Sequence, residues 1–273
     1  MSEDDGPSQP GEADRPGLGG GRNTYELVSL PGGWQVGRFG SLSAMPGLVH
    51  AVTTRRGLDV RVAADDRAAA ARQVANAMGL RGVAFCKQVH GNAVHRVDGP
   101  GLAGEGDGLV TDTPGLGLMC FSADCPLVLV ADSTGRAVGI AHASWRSTVK
   151  QVTTRLVEKL YGEFGCRGAD LVAGISPSAG PCCYRVGAEV VDAAVRELGI
   201  MAERFFRVSG GEFIFDLWGA NRQQLVAAGV PGANVAAAGV CTICHNDTYP
   251  SFRAEGDAAG RFVAVIGKRG CSS

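Results

Sequence analysis

A cysteine and a histidine lie on two apolar segments joined by a short turn, within MCFSADCPLVLVADSTGRAVGIAHASWR, residues 119 to 146. The apolar runs on both sides of residues 132–135 predict a buried antiparallel hairpin. Opposed residues in such a pair have a constant sum of residue numbers, and a turn at the middle of that segment sets the sum at about 267. Cys125 then faces His142, so both side chains would lie at the open end of one hairpin.

Thiolate and imidazole groups are ligands for zinc, and a catalytic zinc site usually has three protein ligands and one open position. Cys125 and His142 would supply two of them. The third should be another Cys or His on a nearby loop, and His90, followed by a glycine at the end of a predicted strand, is the best placed candidate. Two other interpretations stay open: plain packing of both residues in the core, and a metal-free thiol hydrolase or amidase in which His142 activates Cys125 as a nucleophile.

Other cysteines and histidines carry weaker signals. Cys241 and Cys244 have the two-residue gap of a zinc knuckle or a redox motif, but no second such pair accompanies them, which favours a structural or incidental role. Cys182 and Cys183 are adjacent, and adjacent residues in a strand point to opposite faces, so we expect one to be packed and the other near the surface. His50, His95 and His245 are expected in solvated or capping roles.

Composition limits the classes of function. Hydrophobic residues make up 45% of the 273 residues and the formal net charge is −1, which argues against nucleic-acid binding and favours a small substrate. The apolar runs are far shorter than the roughly 18 residues of a membrane span. The first residues lack the basic start and apolar core of a secretory signal. Nine irregularly spaced cysteines favour a reducing environment, so a cytoplasmic protein is expected.

Hydrophobic periodicity predicts an α+β protein in which mixed sheets are covered by helices. Residues 1–24 are acidic and rich in Gly and Pro, which predicts a disordered tail, and residues 25–273 are expected to form a single catalytic domain. Short strands of an irregular hairpin are predicted over residues 25–54, and further strands on both sides of a turn at residues 90–92 and in ADLVAGIS, GEFIFD and GRFVAVIG. Helices are predicted over 65–80, 147–164, 187–198 and 217–228.

Several segments, taken in order, resemble the purine nucleoside phosphorylase family once called laccase-domain or multicopper polyphenol oxidase. They are KQVHG (87–91), GDGLVTDTPG (106–115), SADCPLVLVAD (122–132), AHASWR (141–146), GPCCYRVGAEV (180–190), CTIC (241–244) and Ala259-Gly260-Arg261. The resemblance runs over about residues 50 to 267. It implies a fold of α/β/β/α layers.

The resemblance implies zinc bound by the histidine of QVHG, the cysteine of ADC and the histidine of AHASWR, which are His90, Cys125 and His142. It also implies phosphorolysis of adenosine, inosine and S-methyl-5′-thioadenosine to a free base and a ribose 1-phosphate, with adenosine deamination beside it. For deamination, zinc would lower the pKa of a water, and Asp124 is a conceivable proton carrier. Arg55, Arg146 and Arg253 lie in motif regions and are candidates to bind phosphate.

Three positions depart from the family pattern. Ser144 and Ser147 replace two glycines of the motif usually written HAGWRG, which adds bulk and constrains φ beside a candidate ligand. Ala254 replaces the second arginine of an FSYRR-like stretch. The older copper oxidase label remains an alternative, with copper as a possible metal, although five histidines are few for multicopper chemistry. A non-catalytic interaction protein is a further alternative.

Overall fold

The computed structural model describes residues 24–57 and 64–270. The expectation for residues 1–24 therefore falls, except for Thr24, outside the described part of the chain. The strands are β1 (Tyr25–Ser29), β2 (Gln35–Phe39), β3 (Leu48–Thr53), β4 (Gly82–Lys87), β5 (Val94–Arg96), β6 (Gly101–Glu105), β7 (Gly108–Thr111), β8 (Leu116–Ser122), β9 (Leu127–Asp132), β10 (Val138–His142), β11 (Leu171–Ile175), β12 (Arg185–Val186), β13 (Phe206–Ser209), β14 (Glu212–Phe215), β15 (Val235–Ala237) and β16 (Phe262–Lys268). The helices are α1 (Gly40–Ser43), α2 (Ala64–Met78), α3 (Trp145–Val149), α4 (Val152–Phe164), α5 (Ala188–Leu198), α6 (Leu217–Ala227) and α7 (Phe252–Glu255).

Two large mixed sheets and one small sheet organise these strands. The first sheet has the order β1-β2-β3-β16-β8-β4-β6 and the second has the order β15-β11-β9-β10-β7-β5. Both contain parallel and antiparallel pairs. The third sheet, β12-β14-β13, is antiparallel and lies beside them. The α+β class with mixed sheets between helices is confirmed.

Alternation of side chains along the strands builds the layers. On β8, Leu118 belongs to the core between the two large sheets, whereas Met119 belongs to the core under helix α2. On β16, Ala264 and Val265 divide in the same way. Helices α4 and α6 cover the outer face of the second sheet through a third core. Because strand side chains alternate between faces, two sheets that are apolar on both faces produce this α/β/β/α order.

The hairpin of β9 and β10 is buried and antiparallel as predicted, but its register is not the predicted one. The loop extends to residue 137, so Val138 pairs with Ala131 and His142 pairs with Leu127. The wider loop moves the register by two residues, which keeps the same faces together. Cys125 therefore precedes β9 and does not directly oppose His142.

Two further sequence expectations need correction. The strands on the two sides of His90, β4 and β5, do not pair as a hairpin, because β4 belongs to the first large sheet and β5 to the second. The helix predicted over 147–164 is two helices, α3 and α4, separated at Gln151, whose φ of 61° interrupts the right-handed helical backbone. Within the described residues, no helix is both long and apolar enough to cross a membrane.

Candidate functional site

A cavity of about 330 Å³ opens at one end of the layer between the two large sheets. Its walls come from strand ends and loops of both sheets, so residues far apart in sequence meet there. The three candidate metal ligands, His90, Cys125 and His142, all line it. The other lining residues are Arg67, Gln88, Phe121, Ser122, Ala123, Asp124, Tyr184, Phe252, Arg253 and Arg261.

The position of His142 is set by strand pairing. It follows Val138 and Ile140 on the inward face of β10, and its backbone N–H donates to the carbonyl of Asp107, which precedes β7. The side chains also meet, with His142 Nδ1 lying 2.8 Å from Asp107 Oδ1. Because Asp107 occupies Nδ1, the Nε2 atom is left for another partner. A carboxylate behind a histidine in this way is the usual support of a metal-binding imidazole.

The same carboxylate holds the loop that carries His90. Asp107 accepts backbone hydrogen bonds from Val89 (3.2 Å), His90 (3.1 Å) and Gly91 (2.6 Å). His90 itself takes the left-handed backbone conformation, with φ 58°, rather than the following glycine. The ring centroids of His90 and His142 lie 5.2 Å apart. Asp107 therefore fixes both histidine positions from one buried point.

Cys125 is half-buried just before β9, within hydrogen-bond reach of His142. Its carbonyl accepts from Ser122 Oγ at 2.6 Å. The preceding residue, Asp124, has φ 88° and uses both carboxylate oxygens to join other segments, accepting from Thr242 Oγ1 (2.6 Å) and from the backbone N–H of Arg253 (2.7 Å). Asp124 thus ties the turn before Cys125 to the opposite wall of the cavity.

Opposing effects act on the pKa values of the two histidines. Burial lowers the pKa of His142, but the Cys125 thiolate and the Asp107 carboxylate together outweigh burial and raise it to about 9. Burial and the charge of His142 lower the pKa of His90. Burial also opposes ionisation of Asp107, yet its hydrogen bonds from His142 and the backbone hold its pKa below the usual value.

The donor set of His90, Cys125 and His142 fits a transition metal. Two imidazoles and a thiolate are ligands that zinc and copper both accept, and the set faces a cavity from which a substrate would approach. The three ligand atoms are not gathered as tightly as those of the cysteine cluster described below. His90 is exposed on its loop.

The three candidate phosphate-binding arginines have different surroundings. Arg253 lines the cavity, where its guanidinium lies 4.8 Å from the ring centroid of Tyr184. Arg146 stacks on Trp145 at 4.3 Å and is not among the lining residues. Arg55 also lies outside the lining, where it forms an ion pair with Glu255.

Sequence reasoning did not select two other arginines that line the cavity, Arg67 at the start of α2 and Arg261 just before β16. Arg261 stood within a quoted motif, whereas Arg67 lies in an alanine-rich amphipathic helix that gave no signal. Asp107 was also missed. Asp107 lies between two glycines directly before a buried strand, and a charged residue in such a position is a sequence feature that could have identified it as a candidate site residue.

Ser144 and Ser147 cause no backbone strain next to His142. Ser144 has φ −55° and caps helix α3, and its Oγ accepts from Ser147 N at 3.1 Å. The two hydroxyls lie 2.8 Å apart. Both serines are buried and have hydrogen-bond partners, so the backbone of this segment accommodates serine at the two positions where the family motif has glycine.

Four other cysteines form a second cluster. The Sγ atoms of Cys182, Cys183, Cys241 and Cys244 all lie within 4.8 Å of one another, and within the described residues this is the only such group of metal-binding side chains. A hydrogen bond with Cys182 is the main cause that lowers the pKa of Cys241 to about 5. The expectation that Cys182 and Cys183 point apart was wrong, because both lie in a turn rather than a strand.

Comparison with known proteins relates the chain to one family. The model of a family described as multi-copper polyphenol oxidoreductase laccase matches residues 50–269. The purine nucleoside phosphorylase YlmD of Geobacillus stearothermophilus is 36% identical over 200 residues, which are 67% of this chain and 71% of that protein. A purine nucleoside phosphorylase of Deinococcus radiodurans is 36% identical over 214 residues, 77% of this chain and 78% of that protein.

A relative with a different name and two solved structures complete the comparison. Adenosine deaminase RL5, from an unknown prokaryotic organism, is 34% identical over 165 residues, 59% of this chain and 61% of that protein. The crystal structure of YlmD from Geobacillus stearothermophilus superposes with a TM-score of 0.79 at 30% identity, covering 89% of this chain and 99% of that one. The structure of Bacillus licheniformis YfiH gives a TM-score of 0.77 at 26% identity, with the same coverage.

Proposed function

We propose that this chain, which belongs to the multi-copper polyphenol oxidoreductase laccase family, is a zinc-dependent purine nucleoside phosphorylase. Its substrates would be adenosine, inosine or S-methyl-5′-thioadenosine together with phosphate. Relatives named purine nucleoside phosphorylase support the reaction class. The observation that carries the proposal is that one cavity joins the His90, Cys125 and His142 side chains to three arginines.

The arginines suit the phosphate substrate. Arg67, Arg253 and Arg261 come from three separate elements and line one cavity, where their charges would hold a phosphate dianion. In phosphorolysis a phosphate oxygen forms a bond to C1′ while the bond from C1′ to the purine breaks, and the purine leaves with a proton. Positive charge develops on the sugar in such a transition state, and a phosphate held beside it stabilises that charge.

The aromatic side chains suit the purine. Phe121, Tyr184 and Phe252 line the same cavity, and flat rings offer stacking surfaces to a base. Tyr184 is buried, and burial raises the pKa of its hydroxyl, so Tyr184 stays protonated and able to donate a hydrogen bond at neutral pH. The cavity volume lies in the range of small-ligand sites.

His90, Cys125 and His142 would hold the zinc ion. Bound there, zinc supplies Lewis-acid chemistry, either polarising a substrate atom or lowering the pKa of a water for adenosine deamination. The residues of the chain do the rest: Asp107 keeps the proton of His142 on Nδ1, and Asp124 holds Cys125 and Arg253 in their relative positions. A relative named adenosine deaminase supports the second activity.

The test is product analysis from adenosine with and without phosphate, using protein of measured metal content. Free adenine and ribose 1-phosphate that appear only with phosphate are the expected products, and inosine would indicate deamination. Cys125→Ala should abolish both and lower the zinc content. The matched control His95→Gln alters a histidine outside the cavity and should change neither. Phosphorolysis that is unchanged in Cys125→Ala would rule the proposal out.

One observation favours a second candidate, a metal-free thiol hydrolase or amidase. Cys125, His142 and Asp107 form a chain of contacts in the order of a nucleophile, its base and an orienting carboxylate. Alkylation rates of Cys125 separate the two functions. A zinc-bound thiolate should be protected until zinc is removed by a chelator, whereas a free catalytic thiolate should react equally fast before and after chelation.

A further inference from the structure

Two loops bring the four clustered cysteines together on one side of the cavity. Cys182 and Cys183 lie in the turn after β11, and Cys241 and Cys244 lie in the turn after β15. The backbones of the two loops are joined by hydrogen bonds from Ser178 N to Val240 O and from Thr242 N to Ser178 O. The four thiols therefore belong to one rigid junction rather than to two independent segments.

The sulfur positions match a tetrahedral metal site. Cys244 Sγ lies 3.7 Å from Cys182 Sγ and 3.3 Å from Cys183 Sγ. A zinc–sulfur bond of about 2.3 Å places the sulfur atoms of a tetrahedron about 3.8 Å apart. Disulfide sulfur atoms would be separated by about 2.05 Å. All six sulfur pairs fall within 4.8 Å, so one ion can reach all four atoms.

Backbone donors surround the most buried of the four sulfur atoms. Cys241 Sγ accepts hydrogen bonds from the N–H groups of Gly180, Ile243 and Cys244. N–H groups that point at a cysteine sulfur, here two of them from the second and third residues after Cys241, favour the thiolate, which is the form that binds metal. A guanidinium is also close, because Arg207 Nη2 donates to the carbonyl of Pro181, next to Cys182. The surroundings thus suit a negatively charged thiolate cluster.

We propose that Cys182, Cys183, Cys241 and Cys244 bind a structural zinc ion, separate from the candidate site at His90, Cys125 and His142. A closed set of four thiolates leaves no open position for substrate, so its role is to hold structure. Binding releases protons from the thiols and involves no change of oxidation state.

This zinc site would fix one wall of the cavity. Tyr184 directly follows Cys183 and lines the cavity. The next residue, Arg185, accepts from Arg253 Nη1 at 2.7 Å through its carbonyl, and Arg253 packs on Tyr184. On the other loop, Thr242 donates to Asp124. The cysteine junction therefore positions a ring and a guanidinium that face the substrate space.

The test uses cobalt as a spectroscopic replacement for zinc in the full-length Cys125→Ala variant, which lacks the thiolate of the candidate catalytic site. Stripped, reduced protein titrated with Co²⁺ should develop the strong ultraviolet and visible absorption of tetrahedral cobalt–thiolate coordination, saturating at about one ion per chain. Addition of Zn²⁺ should abolish this absorption. Cys244→Ser in the same background should weaken or remove it. The matched control Cys166→Ala, which alters a buried thiol away from the cluster, should leave it intact.

Two measurements on the unmodified chain keep the proposal falsifiable if a variant does not fold. Zinc analysis of protein purified under reducing conditions should find about two ions per chain, one at each proposed site. Thiol alkylation without reductant under denaturing conditions, followed by mass analysis, should find all four cysteines reduced. Cys182 or Cys183 joined to Cys241 or Cys244 by a disulfide, or iron in place of zinc, would overturn the proposal. Loss of phosphorolysis alone would not, because metal content and the cobalt spectrum are read independently of turnover.

Discussion

At the scale of single residues, Asp107 has the widest influence on the candidate site. It is fully buried, accepts three backbone hydrogen bonds from the His90 loop, and holds His142 through Nδ1. A carboxylate has two oxygens that can each accept more than one hydrogen bond, so this one side chain serves all four donors. Both histidines therefore depend on one residue that does not itself line the cavity.

We expect Asp107→Asn to weaken metal binding and catalysis together. The amide keeps one accepting oxygen and presents an N–H₂ group to donors, so the His90 loop and the His142 tautomer both lose support. Loss of such a support typically costs about 10- to 100-fold in metal affinity or activity. Zinc competition with a chelator and kcat/KM for adenosine measure the two effects. Asp112→Asn, half-exposed just beyond β7, is the control and should alter neither. Equal zinc affinity in both variants would contradict the assigned role.

A second residue-scale prediction concerns His50. The expected solvated or capping role was wrong for this histidine, which is buried in β3 and accepts a hydrogen bond from Phe39 N through Nε2 at 2.9 Å. Burial, and then the charge of Arg38, lower its pKa to about 4. His50 is therefore protonated near pH 6.5 in the unfolded chain but only at about pH 4 in the folded chain. Neutral His50 contributes its full share to the free energy of unfolding above pH 6.5. As the pH falls from 6.5 to about 4, this contribution of about 3 kcal/mol is lost.

The measurement is the free energy of unfolding by denaturant at several pH values between 4 and 7. The stability of the natural chain should fall more steeply on acidification than that of His50→Gln, which cannot titrate. His95→Gln, at a half-buried histidine outside the core, is the control for the substitution itself. Parallel slopes for all three proteins would show that His50 does not resist protonation.

At the scale of secondary structure, the sequence predicted β9, β10, α2, α5 and α6, but it merged α3 and α4 into one helix. It also did not predict how the strands pair. Apolar runs on both sides of residues 132–135 identified β9 and β10, but the loop extends to Ala137 because Asp132 N bonds to Ala137 O. Alternation has a period of two, so a two-residue error in register kept the same faces of β9 and β10 together, and Cys125, just before β9, lines the same cavity as His142. The pairing of β10 with β7 brings Asp107 to His142, which is 35 residues away in sequence, and such a pairing leaves no local trace in the sequence.

The break between α3 and α4 gives an element-scale prediction. Gln151 is exposed and has φ 61°, a left-handed conformation that costs a non-glycine residue about 1 kcal/mol. Gln151→Gly should therefore raise the free energy of unfolding by up to about that amount, without a change in activity. Its neighbour Lys150 is also exposed but has φ −80°, so the control Lys150→Gly should lower stability. Thermal or denaturant unfolding compares the two, and changes of the same sign would disprove the explanation.

At the scale of the whole molecule, the cavity is a product of the fold rather than of any one motif. Arg67 lies in the first turn of α2, which covers the first sheet, and Arg261 precedes β16, the central strand of that sheet. Arg253 belongs to the short helix α7 and donates a hydrogen bond to β12 of the third sheet. Motif resemblance selected His90, Cys125 and His142 because each of them lies within its own short motif. It did not find Arg67, whose role depends on where a helix end lies relative to both sheets.

The proposed phosphate role of these arginines predicts a split between the two substrates. Arg261→Gln should raise the KM for phosphate about 10-fold or more, because a charge-assisted hydrogen bond is worth about 1.5 to 3 kcal/mol, and should change the KM for adenosine less. Arg269→Gln, exposed just beyond the same strand, is the control and should change neither. Initial rates at varied phosphate and fixed adenosine, and then the reverse, give both constants. An equal rise in both KM values would show that Arg261 maintains the shape of the cavity rather than binding phosphate.

The strand order of the first sheet has a consequence for how the chain folds during synthesis. β16, residues Phe262–Lys268, lies between β3 and β8 in the middle of that sheet, so the six other strands of the sheet are synthesised before the strand that completes it. A nascent chain held on the ribosome before residue 268 has cleared the exit tunnel has a gap where its central strand belongs. The two edges of that gap expose unpaired backbone groups to other nascent chains. Slow elongation over the preceding segment would therefore favour aggregation, and a holdase that covers the gap would favour yield.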